Sequence, residues 1–586
     1  MKKILIIVAA VFALVSCDMD FYRSDKMTAA MFADNPSSAV YSTDGNYAMF
    51  KEELEFGMTD RGGFARIYWL MTELRGDNAT LSGKTEDPLW QNNTYDDDDR
   101  LEDLSYMWYI CYKIIYGCNV NIESLPAHES VETDHLIGEN YFLRAVAHFS
   151  LCDLFATPYS RGADKPGVII RNSTKMEAPE DTKRATVGEV YTQIENDLKA
   201  AMEFMKDGNR RYNNAGFASY DAARGLLTRL YLYMGRDQEC VDLCDEMLVN
   251  DPISYLDPNL KDYYKNALTS PETLWCIGRS ANDASYVGSV KGQLSSMYYK
   301  PIDGDGGNGG EGWLEVYWSE PLIDLLFSQK DDARQNFFVR YGLLNDGKMC
   351  ITWPEITEDY FRNYLTKRDV VFDVNAASNT FEFSGKTYTV KKKQGNGYPI
   401  YYIENMYTEA EDMDGVEEGT RCWVRENVSK VDGMRKGTDY IMYGMNKFTG
   451  QDGCSALSSP VYIRWAEVIL NRAEANAKLG NNEAALKDVN AIRARAGLSG
   501  NALWSVGNIG GYESVLDVVL DERRLELCFE GHRAIDVYRN GKNLDRRFGG
   551  VHPYKELTPA DMDIIYPYCI PYTETSVTHI PGNGRQ

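Results

Sequence analysis

The sequence has few of the residues that build metal sites. Six of its 586 residues are histidine, and it contains neither a Cys-x-x-Cys pair nor a His-Glu-x-x-His motif. A transition-metal site would therefore have to be assembled from ligands that lie far apart in the chain. We predict neither a metal nor a cofactor.

Positive charge is also in deficit. Lys and Arg number 62 against 87 Asp and Glu, which gives a net charge of −25 at neutral pH. Such a chain is repelled by nucleic-acid phosphates and by anionic lipid surfaces, so we predict no nucleic-acid partner. Aromatic residues are plentiful, at 12% of the chain. Aromatic rings beside polar groups suit uncharged ligands such as sugars.

The twelve cysteines have no regular spacing, and eleven remain after Cys17 is set aside. An odd number without a pattern is not a disulfide framework. Cys111 and Cys118, like Cys240 and Cys244, fall within apolar helical patterns. These positions are predicted to be buried thiols.

One apolar run, from Ile4 to Val15, follows Lys2 and Lys3. It is too short to cross a bilayer and has the form of a signal peptide, and no later stretch is long and apolar enough to span. Cys17 follows small residues and resembles the lipobox of bacterial lipoproteins. That resemblance implies removal of residues 1–16, lipid on Cys17 and a tether over 17–35. The alternative is an ordinary secretory peptide that is cut elsewhere.

The stretch 464–497 predicts two helices around a turn. Ile463, Ala466, Leu470 and Ala473 recur at helical spacing, and Leu486, Val489 and Ile492 form a second stripe. Gly480 between them predicts a left-handed cap. Small residues where helices cross are typical of tetratricopeptide-type hairpins. A plain α-hairpin in a helical core is the alternative.

The stretch 222–252 repeats this pattern without a gap. When Gly235 is set on Gly480, the apolar positions of the two stretches coincide. Repeats of this type gain stability by stacking, so we predict that the two hairpins meet in space. Residues 138–155 and 186–206 are predicted to form a third hairpin, in which Thr186 and Glu189 make a capping box.

The segment 253–458 between the two hairpins differs in composition, with much Gly, Tyr, Trp and Asp. Alternating residues over 380–390 predict a small β-hairpin with its turn at Ser384-Gly385. After it, 514–530 is predicted to be helical, and the mixed charges from Glu522 to Arg539 are predicted to form ion pairs. The chain is predicted to end in an extended, proline-punctuated tail.

Several stretches together resemble the RagB/SusD family, the surface nutrient-binding lipoproteins of the Bacteroidetes. They are the lipobox at Cys17, YKIIYGCNVNIESL at 112–125, GENYFLRAVAHFSLCDLF at 138–155, the hairpin at 461–497 and DERRLELCFEGHRAIDVYR at 521–539. The tail departs from the family pattern, because CIPYTETSVTHIPGNG contains no Asn-Pro.

The resemblance implies a mainly α fold, with a SusD-like tetratricopeptide-type helical scaffold and a large loop-rich insertion containing short β-hairpins. The expected parts are an N-terminal helical region over 36–252, the insertion over 253–458 and a C-terminal region over 459–586. The resemblance also implies glycan capture at the cell surface and delivery to a SusC-like TonB-dependent transporter. The partners would then be that transporter, a glycan and the outer membrane, with the protein facing the cell exterior.

A sugar site needs exposed aromatic rings with amides and carboxylates beside them. Two stretches meet that need, and in the family the first commonly supplies part of the glycan platform. The candidates in 76–100 are Asp77, Asn78, Trp90, Asn92 and Tyr95, and those in 286–318 are Tyr298, Tyr299, Trp313 and Trp318. Packing under a loop is the alternative for each of them.

The acidic run Asp96 to Asp99 is predicted to be solvated and not to hold calcium. Asp303-Gly304-Asp305 resembles the start of an EF-hand loop, but Leu314 stands where the twelfth-position glutamate belongs. No motif singles out a carboxylate pair for glycoside hydrolysis. We therefore expect a binding protein and not an enzyme, with peptide capture or a surface glycosidase as the alternatives.

Overall fold

The computed structural model of the chain describes most of the helical regions and parts of the segment between them. The residues described are 37–51, 63–81, 89–175, 178, 182–280, 294–298, 316–340, 348–359, 362–373, 379–383, 386–394, 399–404, 443–454, 457–548 and 555–583. The predicted signal peptide, Cys17 and the tether lie outside them, as do Tyr299, Trp313 and Asp303.

Helices dominate the N-terminal region, as the sequence predicted. They are α1 Ser37–Met49, α2 Gly63–Leu74, α3 Leu89–Thr94, α4 Glu102–Ser124, α5 Val131–Phe155, α6 Val187–Met205, α7 Tyr220–Tyr233 and α8 Asp237–Met247. Helices α5 and α6 pack together as the third predicted hairpin, and Arg144 Nε of α5 donates to Asp197 Oδ2 of α6 at 3.0 Å. The capping box between Thr186 and Glu189 is confirmed.

The remaining helices lie within and after the loop-rich segment 253–458. The remaining helices described are α9 Ser295–Tyr298, α10 Glu320–Phe327, α11 Trp465–Lys478, α12 Asn482–Arg495, α13 Val515–Glu526, α14 Arg533–Arg539, α15 Pro559–Ile565 and α16 Tyr572–Thr578. None of the helices within the described ranges has the length and apolar character needed to cross a bilayer.

The two matching hairpins pack against each other, which confirms the prediction drawn from their repeat. Gly235 and Gly480 both adopt left-handed backbone, with φ of +70° and +82°. Arg472 of α11 bridges the hairpins, since its guanidinium lies 2.8 Å from Asp488 of α12 and 2.8 Å from Asp245 of α8. The sulfur of Cys244 lies 3.6 Å from the carbonyl oxygen of Val468. All four cysteines predicted to be buried thiols are buried and free.

The strands are short or pair locally. They are β1 Ala79–Leu81, β2 Thr273–Cys276, β3 Val316–Trp318, β4 Phe338–Arg340, β5 Lys348–Asp359, β6 Arg362–Asp373, β7 Asn379–Phe383, β8 Lys386–Gln394, β9 Pro399–Glu404, β10 Tyr443–Met445, β11 Val461–Arg464, β12 Leu544–Asp545 and β13 Glu556–Leu557. The predicted hairpin is confirmed, because β7 and β8 pair antiparallel with Phe383 opposite Lys386. Strand β2 pairs with β11, so the segment is tied to the helical core at both ends.

Two expectations for the C-terminal region were wrong. Helix α13 ends at Glu526, four residues before the predicted end, because Phe529 and Gly531 take positive φ and cannot continue a helix. The tail is not extended throughout. Residues 572–578, within the stretch 566–584 that was predicted to be extended, form α16.

Candidate functional site

The two candidate stretches lie side by side. Strand β1, at the start of the loop 76–100, pairs antiparallel with β3, and Ala79 stands opposite Trp318 while Leu81 stands opposite Val316. The ribbon continues into the core, where Ser319 N donates to the carbonyl of Asn78 at 2.8 Å. Two segments more than 200 residues apart in the sequence thus form one local structure.

Trp90 lies on the short helix α3, next to this ribbon. The hydroxyl of Thr94 donates to the carbonyl of Trp90 at 2.7 Å and stabilises the helix from within. The indole of Trp90 packs on the main hydrophobic core but is only partly buried. Of the six aromatic candidates, Trp90 is the one within the described residues that has an intermediate exposure. Tyr95 follows with φ of +57°, a conformation that stops α3 where the loop turns.

Two buried arginines hold this loop, and we call Arg75 and Arg546 the loop arginines. Arg546 donates to the carbonyl of Asn93 at 2.6 Å and also to the side-chain oxygen of Asn93. Arg75 pairs with Asp97. Its guanidinium also lies 3.4 Å from the ring centroid of Tyr568 in the tail. The loop is therefore fixed from below by charge-assisted hydrogen bonds and ring contacts.

Asp77 and Asn78 do not face a ligand, which corrects the expectation for both. Asp77 receives two hydrogen bonds from Arg533, at 2.6 and 2.9 Å. Asn78 donates to Glu73 at 3.0 Å and accepts from Arg524 at 2.8 Å. Burial alone would raise the pKa of Asp77, but the charges of Arg524 and Arg533 lower it to about 2. Both side chains serve the packing of the loop on α13 and α14.

Four further candidates are buried, and the expectation that they are exposed was wrong. Asn92, Tyr95, Tyr298 and Trp318 are each no more than 4% exposed. The rings of Tyr298 and Trp318 each lie 5.1 Å from that of Phe529, so both belong to the core. All three residues of β3 are buried, so the ribbon has no solvent-facing side at which Trp318 could be exposed. Three candidates stay as predicted ligand contacts. One is Trp90; the other two, Tyr299 and Trp313, lie outside the described residues.

The acidic run is only partly solvated. Asp96 and Asp98 are exposed, as predicted, whereas Asp97 is buried on Arg75. Within the described ranges, no three His, Cys, Asp or Glu side chains cluster as a metal site would require. The ion pairs predicted within 522–539 are confirmed for Asp536, which pairs with Arg523 and Arg539. The glutamates of this stretch pair instead with arginines elsewhere in the chain; Glu530, for example, pairs with Arg464.

Two buried carboxyls that have no ion-pair partner at hydrogen-bond distance among the described residues have raised pKa values. Burial raises the pKa of Glu73 to about 7, against hydrogen bonds from Asn78 and Gly531 that lower it. Burial also raises the pKa of Asp153 to about 7, opposed by the hydrogen bond from Tyr68 at 2.8 Å and the charge of Arg229. Between about pH 4 and 7 the folded chain therefore keeps protons that the unfolded chain has lost. Their contribution to stability is full below about pH 4 and is lost as the pH rises through 7.

Asp153→Asn is expected to remove the Asp153 part of this pH dependence. The free energy of unfolding of the variant, relative to the native chain, should rise from pH 5 to pH 8 by up to about 3 kcal/mol, because pH 5 lies about two units below the folded pKa and one unit corresponds to about 1.4 kcal/mol. Denaturant titrations at the two pH values measure the change. A difference that is constant with pH would contradict a neutral Asp153 in the folded chain.

Sequence reasoning missed the four arginines that hold the loop 76–100. They are the loop arginines, and Arg524 and Arg533, which contact Asn78 and Asp77. Arg524 and Arg533 stand in the DERRLELCFEGHR motif and were predicted only to form ion pairs within that block. Arg75 and Arg546 carry no local signal, since each finds its partners more than 20 residues away.

Comparison with known proteins places these features in one family. The model of the SusD family matches residues 271–568, and a model described as starch-binding associating with outer membrane matches residues 56–232. SusD-like protein P2 of Formosa agariphila is 24% identical over 564 residues, which cover 92% of this chain and 91% of that protein.

Solved structures share the fold. A SusD superfamily protein of Bacteroides thetaiotaomicron superposes with a TM-score of 0.64 at 19% identity, covering 94% of this chain and 99% of that one. A structure described as a laminarin-binding SusD-like protein gives a TM-score of 0.58 at 18% identity and covers 94% and 100% of the two chains. The helical scaffold, the paired hairpins and a family match over half of the chain lead to one conclusion: this protein belongs to the SusD family.

Proposed function

We propose that this chain is a cell-surface lipoprotein that captures a neutral glycan and delivers it to a SusC-like TonB-dependent transporter in the outer membrane. The observation that carries the binding role is the position of Trp90. Its ring is partly exposed on a loop that the loop arginines hold in place and that the β1–β3 ribbon joins to the second candidate stretch. A rigid aromatic surface binds a sugar face at a low entropic cost.

Family membership supports a carbohydrate ligand. The laminarin-binding neighbour and the starch-binding family model both concern neutral glucans. The charge of −25 disfavours sulfated or uronate-rich polymers, which would be repelled. Laminarin and soluble starch are therefore the first glycans to test.

Trp90→Ala is expected to weaken binding of the recognised glycan by about 1–3 kcal/mol, because a sugar ring loses its stacking surface. Isothermal titration of the native chain and the variant measures the loss. Tyr116→Ala is the matched control, since Tyr116 is an aromatic side chain that is 51% exposed on α4. Equal affinities for the native chain and Trp90→Ala would contradict the role of Trp90.

The anchor is tested separately at Cys17. Cys17→Ala is expected to move the protein from the membrane fraction to the soluble fraction, because each buried acyl methylene supplies about 0.8 kcal/mol of membrane affinity. Fractionation followed by mass spectrometry of the N-terminal peptide measures it. A variant that stays with the membrane would contradict anchoring by this lipid.

The alternatives give different outcomes with the same glycans. Retardation of the protein in a glycan-containing gel without product supports capture. Released oligosaccharide would identify a glycosidase. Binding of an oligopeptide panel with no glycan retarded would favour peptide capture.

A further inference from the structure

A second cleft lies away from the Trp90 loop. It opens between the last turn of α1, the segment 214–217 and the residues after β2, and its volume is about 320 Å³. That volume is at the lower end of small-molecule sites, which span roughly 300–1,000 Å³. The cleft is separate from the Trp90 loop, because it borders the N-terminal end of α2 and that loop is held at the C-terminal end. Phe50, in its wall, packs on Phe64 at a ring-centroid distance of 4.9 Å.

The distance between the two sites follows from α2 itself. The Trp90 loop is held at the other end of this helix by Arg75. A helix of 12 residues rises about 18 Å. One monosaccharide cannot contact both sites.

The walls of the cleft are aromatic and continuous. The ring of Phe217 lies 5.2 Å from that of Tyr47 and 5.4 Å from that of Tyr212, in edge-on arrangements. Trp275 forms the buried end and packs on Phe50 at 5.6 Å. The lining therefore runs from the half-buried rings of Tyr47 and Phe217 to the fully buried ring of Trp275, and the exposed ring of Tyr212 lies beside Phe217, outside the lining.

Two polar groups on the rim have unused hydrogen-bonding capacity. One oxygen of Asp44 accepts from Arg211 at 2.7 Å, and the other makes no hydrogen bond within the described residues. The side-chain oxygen of Asn214 accepts from Gly216 N at 2.7 Å, while its NH₂ group has no acceptor there. Asp44 and Asn214 thus offer an acceptor and a donor beside apolar rings, in a lining that also includes Lys51, Arg279 and Ser280.

The backbone at the mouth is in a conformation that ordinary residues avoid. Tyr212 and Asn213 have φ of +55° and +48°. For a bulky side chain such as tyrosine, a left-handed conformation is strained and tends to occur at functional sites. It places the exposed ring of Tyr212 against Phe217, next to the lining residues.

We propose that this cleft is a second carbohydrate site, which takes one glucosyl unit of a neutral oligosaccharide. The all-equatorial ring of glucose presents apolar C–H faces to aromatic walls and hydroxyls to a mixed donor and acceptor rim. The site is independent of Trp90, and its carbohydrate class agrees with the proposed function without requiring that Trp90 bind.

The test blocks the cleft with a bulky side chain introduced at its exposed edge. Ala48 lines the cleft and is exposed on α1, so Ala48→Trp blocks it without touching the core. Ala127→Trp, at an exposed position in the turn after α4, is the matched control. Laminaribiose and maltose are the probes, and saturation-transfer NMR on the full chain measures binding. Each variant is made in the native and in the Trp90→Ala background.

In the Trp90→Ala background, at least one disaccharide is expected to bind. Ala48→Trp should then weaken that binding at least about tenfold, while Ala127→Trp has no effect. No transfer to either disaccharide in that background would overturn the second site, and so would equal binding by Ala48→Trp and Ala127→Trp. Failure of the proposed Trp90 site would give a different result, because Trp90→Ala would then bind polysaccharide as tightly as the native chain does.

Discussion

Arg464→Met is expected to lower the free energy of unfolding by about 3–5 kcal/mol, the effect of breaking a buried ion pair. Arg464 is fully buried and donates to three carboxylates. The distances are 2.7 Å to Glu272, 2.6 Å to Glu526 and 2.9 Å to Glu530. Methionine fills a similar volume but leaves all three carboxylates with less charge compensation. Chemical denaturation followed by circular dichroism measures the loss.

The carboxylates depend on this charge. Burial would raise the pKa of Glu530, but Arg464 and Lys447 lower it to about 2. The pKa of Glu526 is also well below its ordinary value, because Arg495, Arg464 and Arg334 outweigh its burial. Both groups contribute stability above about pH 4.5, which is lost as the pH falls through their folded pKa values. Removal of Arg464 should therefore also shift acid unfolding to higher pH.

A surface pair supplies the control for Arg464. Arg547 pairs with Asp545, and the two side chains are 60% and 50% exposed. Arg547→Met should cost no more than about 1 kcal/mol, because water already solvates both charges. If the two variants lost equal stability, the buried network would not be the structural centre that its contacts indicate.

Arg75→Met is expected to affect both stability and binding. It removes the partner of buried Asp97, which should cost about 3–5 kcal/mol. It also removes the donors to the carbonyls of Ile565 and Tyr566 and the ring contact with Tyr568. Because these contacts tie the Trp90 loop to the tail, glycan affinity should fall about tenfold although Trp90 itself is unchanged.

Arg100→Met is the control within the same loop. Arg100 is exposed, and its guanidinium lies 4.9 Å from the ring centroid of Tyr572. The variant should keep native stability and affinity, as judged by thermal unfolding and titration. Native glycan affinity in folded Arg75→Met would contradict a loop that must be held in place to bind.

The scaffold was predictable because its signals are local. Helical spacing with Gly235 and Gly480 located both hairpins, and their ungapped match correctly predicted that they meet. The alternation over 380–390 located the β7–β8 hairpin in the same way. Such patterns need only neighbouring residues to be interpreted.

The site was less predictable, because burial depends on partners far away in the chain. Trp318 and Trp90 both stand among polar residues in the sequence, yet one packs on Phe529 and the other reaches solvent. Likewise, nothing near Asp77 shows that Arg533, 456 residues later, will pair with it. The sequence indicated both stretches, but it predicted neither that β1 and β3 pair nor which of the aromatic rings are buried.

Affinity electrophoresis in gels containing laminarin or soluble starch tests the central claim, that the Trp90 loop captures glycan. The native chain and Tyr116→Ala should be retarded equally in at least one gel, without released oligosaccharide, and Trp90→Ala should be retarded clearly less than either. Equal retardation of all three proteins, or release of product by the native chain, would contradict capture by this loop.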